Sequence, residues 1–351
     1  MKRYGNLFSK IVSLDNVIKA HENARKGKRH YSEVKMVDSN PLKYIEEIRT
    51  MLKNGSYSVS QYETFEKNDK GKTRKLYKLP YFPDRIIQHA VMQVLEPIWK
   101  PMLITDTHQA IKGRGVFTCL DRVRKSIQES GCTHCLQMDI SKFYPSINNE
   151  KLKQEIRRKI KCKGTLNLLD VIIDSCEGVP IGNYLSQYLG NVYLSRVDRL
   201  MKEGMKAKHY YRYCDDIIVL SSDVEYLHIC KDVMTRAFLT LDLSVKKNYQ
   251  VYEINSNRGV DFLGLVIYRN KVKVRKSILK SFKRMTQRIE SSSAKSIISY
   301  YGWFKNARRF EVWNKHVKSY LTKLVVKFGH KVLDYSHVRY LKGLCNEHKT
   351  S

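Results

Sequence analysis

Long apolar runs, acidic side chains and paired cysteines are what this chain is short of. No apolar run among its 351 residues approaches the roughly 20 that cross a bilayer. Met1 to Lys10 has no apolar core of a secretory signal. Asp and Glu number 34 against 65 Lys and Arg, a net charge of +31. So large an excess calls for a polyanionic partner, nucleic acid or an anionic membrane surface. With no spanning run, the expected place is the cytoplasm, on nucleic acid and not on a membrane. The eight cysteines are scattered, which suits reduced thiols better than a disulfide framework. One close pair, Cys132-Thr133-His134-Cys135, has metal-like spacing, but no second pair completes a structural zinc site. Those cysteines are expected as small buried residues leading into a strand.

What is present is a globular chain. At 42% hydrophobic residues it can bury a real core, divided into about two or three subdomains. Residues 1 to 55 read as basic helices, with Leu14, Val17 and Ile18, then Leu42, Ile45, Ile48 and Leu52, at helical spacing around Ala24 to Arg29. Tyr57 to Leu79 alternates around Asn68 to Gly71, the pattern of a hairpin whose return strand carries Lys72, Arg74 and Lys75. Those cations either fold over a triphosphate or line a solvated edge. Asp84 to Leu95 puts one apolar stripe on a helix and leaves Gln88 and His89 off it. Gly113-Arg114-Gly115 lets the backbone approach a phosphate or template, or is an ordinary loop.

Two places concentrate chemistry. Tyr210 to Leu220 is an aromatic run and an apolar run meeting at Asp215-Asp216, a hairpin with carboxylates at its tip. Adjacent carboxylates resist joint ionisation unless a cation sits with them, and hard oxygen ligands suit Mg²⁺. Upstream, Leu136 to Ile140 is a short strand ending near Asp139, whose burial among apolar neighbours calls for a metal or a positive partner. Tyr144 follows as a flat ring, a sugar floor or a core aromatic. Gly178 to Gln187 opens a long helix, whose exposed N–H groups attract an incoming nucleotide. A helix at Val224 to Phe238 leads to Leu243 to Asn248. A further hairpin pairs a strand at Val260 to Ile267 with one at Lys271 to Arg275. From Arg269 onward, 21 Lys or Arg face four Asp or Glu among Tyr300, Tyr301 and Trp303, a basic helical bundle suited to gripping a phosphate backbone.

In this order, from about residue 14 to 310, these blocks resemble a reverse transcriptase. Asp139 resembles the first catalytic strand, Ile181 to Gln187 the nucleotide-binding loop, and Tyr213 to Asp216 the catalytic hairpin. Leu243 to Asn248 resembles the lysine block, Phe262-Leu263-Gly264 the primer grip, and Tyr300 to Trp303 the start of the thumb. The loop Ile181-Gly182-Asn183-Tyr184-Leu185-Ser186-Gln187 departs from the commoner Gln-Gly and Ser-Pro ends and resembles the diversity-generating retroelement branch. Leu14-Asp15-Asn16, Ala24 to Arg29 and Asp84 to Ala90 look similar to that branch too. Cys214 stands where Met or another apolar residue is commoner.

The resemblance implies an α+β right-hand polymerase. Its parts would be an N-terminal helical extension (1–55), fingers (56–135), a palm (136–275, with a fingers insertion at about 148–176) and a helical thumb (276–351). It implies copying of a template-repeat RNA into cDNA with errors opposite adenine, in a bacterial, archaeal or phage setting, beside a small basic pentameric accessory protein. Other bacterial reverse transcriptases, of retron, group II intron or phage-defence type, and an inactive RNA-binding scaffold are the alternatives. A pair of Mg²⁺ ions, or Mn²⁺, is expected on Asp139, Asp215, Asp216 and the Ile140 carbonyl. Lys247 or its neighbour Lys246 is expected as general acid. The dNTP is expected against Lys72, Arg74, Tyr144, Ile181, Gly182, Asn183, Ser186 and Gln187, with Tyr144 excluding a 2′-hydroxyl. Template and primer are expected on Arg114, Phe262, Leu263, Gly264 and Trp303.

Overall fold

The structure is a computed structural model that describes residues 2–69, 72–287, 299–300, 302–305 and 307. It divides into two compact units, Met1–Cys119 with His134–Tyr252, and Leu120–Thr133 with Glu253–Ser351. Among the described residues the mixed architecture holds helices beside sheets of two, four and three strands. Most of the expected thumb, and its Ser291 to Ser293 and Tyr301, lies outside the described residues.

The first unit begins with four helices, α1 (Phe8–Ile11), α2 (Leu14–Ala24), α3 (Ser32–Ser39) and α4 (Pro41–Lys53). Val17 is buried on α2 with Ala20 and Ala24, and Ile45, Ile48 and Leu52 are buried on α4 as the spacing implies, whereas Leu14 and Ile18 are half-buried and the expected Leu42 is exposed. Pro41 opens α4 where a missing N–H costs nothing, and the Asn40 side chain caps the Lys43 N–H. The antiparallel hairpin β1 (Glu63–Asp69) and β2 (Lys72–Lys78) follows, in register from Glu63–Lys78 to Asp69–Lys72. Then comes α5 (Ile86–Trp99), buried on nearly every side.

The helix α6 (Val116–Glu129) runs out of the first unit, and β3 (His134–Asp139) returns to it. The expected insertion is occupied by α7 (Asn149–Arg157) and α8 (Lys163–Ile173). After α9 (Ser186–Arg199) come β4 (His209–Tyr213), β5 (Asp216–Ser221), α10 (Val224–Thr240) and β6 (Gln250–Glu253). The four-stranded sheet has the order β4-β5-β3-β6, so β3 and β5 pair antiparallel at its centre. Ile217, Ile218, Val219 and Leu220 are buried in succession, as expected of a strand covered on both faces. Helix α10 packs on β3 and β5.

The described part of the second unit holds β7 (Val260–Phe262), β8 (Leu265–Ile267), β9 (Val272–Val274) and α11 (Lys276–Gln287). One strand over Val260 to Ile267 is the sequence expectation, and the structure corrects it. The chain reverses at Leu263 and Gly264, both at positive φ, and pairs Phe262 with Leu265. A Cβ on Gly264 would lie 2.7 Å from Trp303 and from Ile278. The turn therefore depends on residues far along the chain, which local alternation cannot reveal.

Candidate active site

The central strands bring the carboxylates together. Asp139 ends β3 and pairs in register with Asp216, the first residue of β5. Tyr213 also pairs with Asp216, which leaves Cys214 and Asp215 as the two-residue tip of the β4–β5 hairpin. The expected hairpin with acids at its tip is thus formed. Burial, and then the charges of Asp215 and Asp139, push the Asp216 carboxyl up to about 7. A half-buried group of acids that retains a proton near neutrality is a set of hard oxygen donors short of positive charge, and its chemistry fits a divalent cation. Among the described residues no three such side chains are already gathered round one ion position.

One cation is already at hand. Lys246 donates to Asp139 through its ammonium, and its backbone N–H donates to the Asp139 carbonyl at 2.9 Å. The buried Ile140 bridges Val245, and Ser141 N–H donates to the Ser244 carbonyl, so the lysine segment is pinned beside the end of β3. Lys247 is exposed next to it. Of the two expected general acids, the structure brings Lys246 to the carboxylates.

Tyr144 also reaches the hairpin tip. Its hydroxyl accepts from the Cys214 thiol at 3.4 Å, and its carbonyl accepts from Val179 N–H at 2.9 Å. Burial pushes its phenol up, helped by Cys214 and Asp215. Its ring lies over Gly190 in α9, where an added Cβ would stand 3.2 Å from it.

The loop ahead of α9 is tethered at several points. The Ile181 carbonyl accepts from Tyr77 N–H of β2 at 2.8 Å. Asn183 donates through Nδ2 to the Tyr62 hydroxyl at 2.9 Å, which is within 2.8 Å of Ser175 Oγ. Gln88 Oε1 accepts from Tyr184 N–H at 2.9 Å and Leu185 N–H at 3.3 Å. Ser186 is buried and donates to the Pro180 carbonyl, whereas Gln187 is exposed in the first turn of α9. Gly182, with Tyr77, Lys78, Arg85, Gln88 and Asn183, lines a cavity of about 190 Å³. Arg74 is exposed on β2, opposite Lys67; the side chain of Lys72 lies outside the described residues. Arg114 spends its guanidinium on the Ile104 and Thr107 carbonyls, at 2.6 and 3.0 Å, and so braces its own loop.

Sequence reasoning placed the helix α5 but missed what Gln88 and His89 do in it. Gln88 and His89 are only 2% and 7% exposed, not on an open face. The structure makes them the support of the loop ahead of α9, since the His89 ring stacks on Tyr184 at 3.7 Å and 10°. The available signal was their polarity inside an otherwise apolar helix. In the second unit, Phe262 is buried, Leu263 and Gly264 form the β7–β8 turn, and Trp303 packs against Gly264.

The sequence profile of the reverse transcriptase (RNA-dependent DNA polymerase) family matches residues 65–267, more than half of the chain. The chain belongs to the reverse transcriptase family. Among curated proteins, this reverse transcriptase is 26% identical over 171 residues to Protein YkfC of Escherichia coli K12, covering 44% of this chain and 45% of that one. It is 28% identical over 171 residues to the group II intron-encoded protein LtrA of Lactococcus lactis subsp. cremoris, covering 45% and 28%. It is 25% identical over 206 residues to nuclear intron maturase 4, mitochondrial, of Arabidopsis thaliana, covering 56% and 25%. The match thus spans less than half the length of each relative. Among solved structures, telomerase from Candida albicans in complex with a fragment of telomeric RNA superposes with a TM-score of 0.54 at 12% identity, over 84% of this chain and 60% of that one. That likeness is one of fold, and the α+β right-hand architecture is common to both.

Proposed function

We infer that this protein is an RNA-directed DNA polymerase of the diversity-generating kind, copying a template-repeat RNA into cDNA with errors concentrated opposite adenine. The observation that carries the polymerase reading is Asp139 facing Asp216 across paired strands, with Asp215 at the adjoining tip. The subtype is supported by the Ile181 to Gln187 loop, where an apolar branched residue replaces an amide able to hydrogen-bond near the nucleotide. A small basic pentameric accessory protein belongs to the same reading.

In the reaction a primer 3′-oxygen attacks the α-phosphate of a dNTP and pyrophosphate leaves. Mg²⁺ or Mn²⁺ held by Asp139, Asp215 and Asp216 would supply the charge that stabilises attacking and leaving oxygens together. The chain's own groups do the rest. Tyr144, set at the hairpin tip, excludes a ribose 2′-hydroxyl. The tethered loop from Ile181 to Asn183 orients the nucleotide, and Arg74 neutralises its triphosphate. Lys246 moves from Asp139 to protonate the leaving pyrophosphate, a role worth roughly 10² to 10⁴ in rate.

The test is primer extension on an adenine-containing RNA template, with product sequencing, by the wild type and Asp215→Asn. The wild type should extend, with misincorporation clustered opposite adenine, and the variant should bind RNA as well yet make no cDNA. Full synthesis by the variant would refute the site, and an even error spectrum would refute the subtype.

A further inference from the structure

Behind the hairpin lies a buried charged group that the chemistry above does not use. Arg212 and Asp198 are both fully buried, with side chains at 0% exposure. Asp198 belongs to α9 and Arg212 to β4, the strand that enters the catalytic hairpin. The guanidinium grips the carboxylate with two parallel bonds, Nε to Oδ1 at 2.7 Å and Nη2 to Oδ2 at 2.6 Å. Tyr210 donates to Oδ1 at 2.7 Å and Thr107 to Oδ2 at 2.9 Å, so both carboxylate oxygens are satisfied. The backbone of Arg212 is clamped as well, its N–H on the Asp106 carbonyl and its carbonyl under His108 N–H.

The remaining arm of the fork points at the hairpin tip. Arg212 Nη1 donates to Asn191 Oδ1 at 3.1 Å and to the Cys214 carbonyl at 3.0 Å. Asn191 is itself fixed, donating through Nδ2 to the Gln109 carbonyl at 2.7 Å. Cys214 has φ +60, a left-handed conformation that side-chain-bearing residues hold only where their surroundings over-determine it. Its carbonyl carbon is bonded to the nitrogen of Asp215. Fixing that carbonyl therefore fixes the peptide plane from which the Asp215 carboxylate projects.

A buried ion pair is a poor device for stability alone, because desolvation cancels most of the attraction and well-packed apolar residues often do as well. What it supplies is geometry, since a planar guanidinium can hold a carboxylate with one edge and a carbonyl with another. Resting on the polymerase reading above, we propose that Arg212 is a positioning residue: locked by Asp198 and Asn191, it holds the Cys214 carbonyl and so sets the left-handed turn that presents Asp215 for catalysis.

Two variants of the full chain separate this role from a structural one. Arg212→Lys keeps the charge opposite Asp198 but loses the fork that spans to Cys214. Arg212→Met combined with Asp198→Leu and Tyr210→Phe replaces the buried charges by apolar volume. Melting temperature, affinity for an RNA template with a DNA primer, dNTP KM, kcat and Mn²⁺ binding by electron paramagnetic resonance are measured for each. The expected result is folded protein with wild-type RNA affinity and little change in KM. Mn²⁺ binding should weaken and kcat should fall about 10²-fold, the scale of a small misplacement of a reacting group. Folded variants with wild-type kcat and Mn²⁺ binding would overturn the proposal. So would a rate that falls only with the folded fraction, or failure of both variants to fold, since the pair is then a folding element. A wild-type protein that makes no cDNA would instead sink the polymerase reading, and Mn²⁺ binding would still report on the turn.

Discussion

His89 shows how far one side chain can be taken from its solution behaviour. Its ring lies flat on Tyr184, beneath the loop that precedes α9. Burial, and then the charges of Arg85, Lys28 and Lys26, push its imidazole from 6.5 down to about 3. Between about pH 3 and 6.5 it is neutral in the folded chain, whereas the unfolded chain protonates it. The unfolded state thus binds more protons between pH 6.5 and about 3, so His89 contributes stability above pH 6.5 that is lost as pH falls. The loss approaches about 1.4 kcal/mol per pH unit in that window. His89→Phe keeps the stack and removes the titration. Urea unfolding of both proteins at a series of pH values should show the variant losing stability less steeply below pH 6.5, by about that slope. Parallel curves would mean that the imidazole is protonated in the fold.

Among elements, the informative pair is the β1–β2 hairpin and the loop ahead of α9, joined where Tyr77 N–H meets the Ile181 carbonyl. Gly182 makes the join possible. Its φ is +129, and a Cβ there would fall 2.2 Å from the Tyr77 carbonyl oxygen, a backbone atom with no side chain to swing away. Gly182→Ala should therefore separate the loop from β2, at a strain of about 1–3 kcal/mol. The expected signature is a dNTP KM raised about tenfold or more with RNA affinity unchanged, read by primer extension over a dNTP series. An unaltered KM would show that this contact does not shape the nucleotide site. The hairpins themselves were legible in the chain because their signal is local: alternating or β-branched runs that meet at Asp215-Asp216 or at Asn68 to Gly71. The supports of the site were not. Gln88 meets Tyr184 across 96 positions, and Arg212 acts by spanning from α9 to the tip of its own hairpin. A polar residue in an apolar helix announces that it has a partner, but not which one. The β7–β8 turn stayed hidden for a related reason, since Leu263-Gly264 reads as strand until Trp303 is placed against it.

On the scale of the whole molecule, charge sets how nucleic acid is held. On the polymerase reading proposed above, a net +31 makes phosphate contact the dominant, sequence-independent part of RNA affinity, and each contact adds about −0.7 to −0.9 to the slope of log affinity against log salt. Helix α11 offers a concrete share of that charge. Lys276, Lys280, Lys283 and Arg284 are all exposed and recur at three- and four-residue spacing, which puts them on one side of the helix, while Phe282 is buried. If this stripe lies along a phosphate backbone, replacing all four by Gln should flatten the salt slope by about 3. It should weaken binding at low salt for every sequence alike, since phosphates carry no base information. Asp215→Asn, which removes no cation, should keep the wild-type slope while losing synthesis. Fluorescence anisotropy of a labelled RNA–DNA duplex across a salt series checks all three proteins together. A stripe variant with the wild-type slope would place the phosphate grip elsewhere in the basic surface.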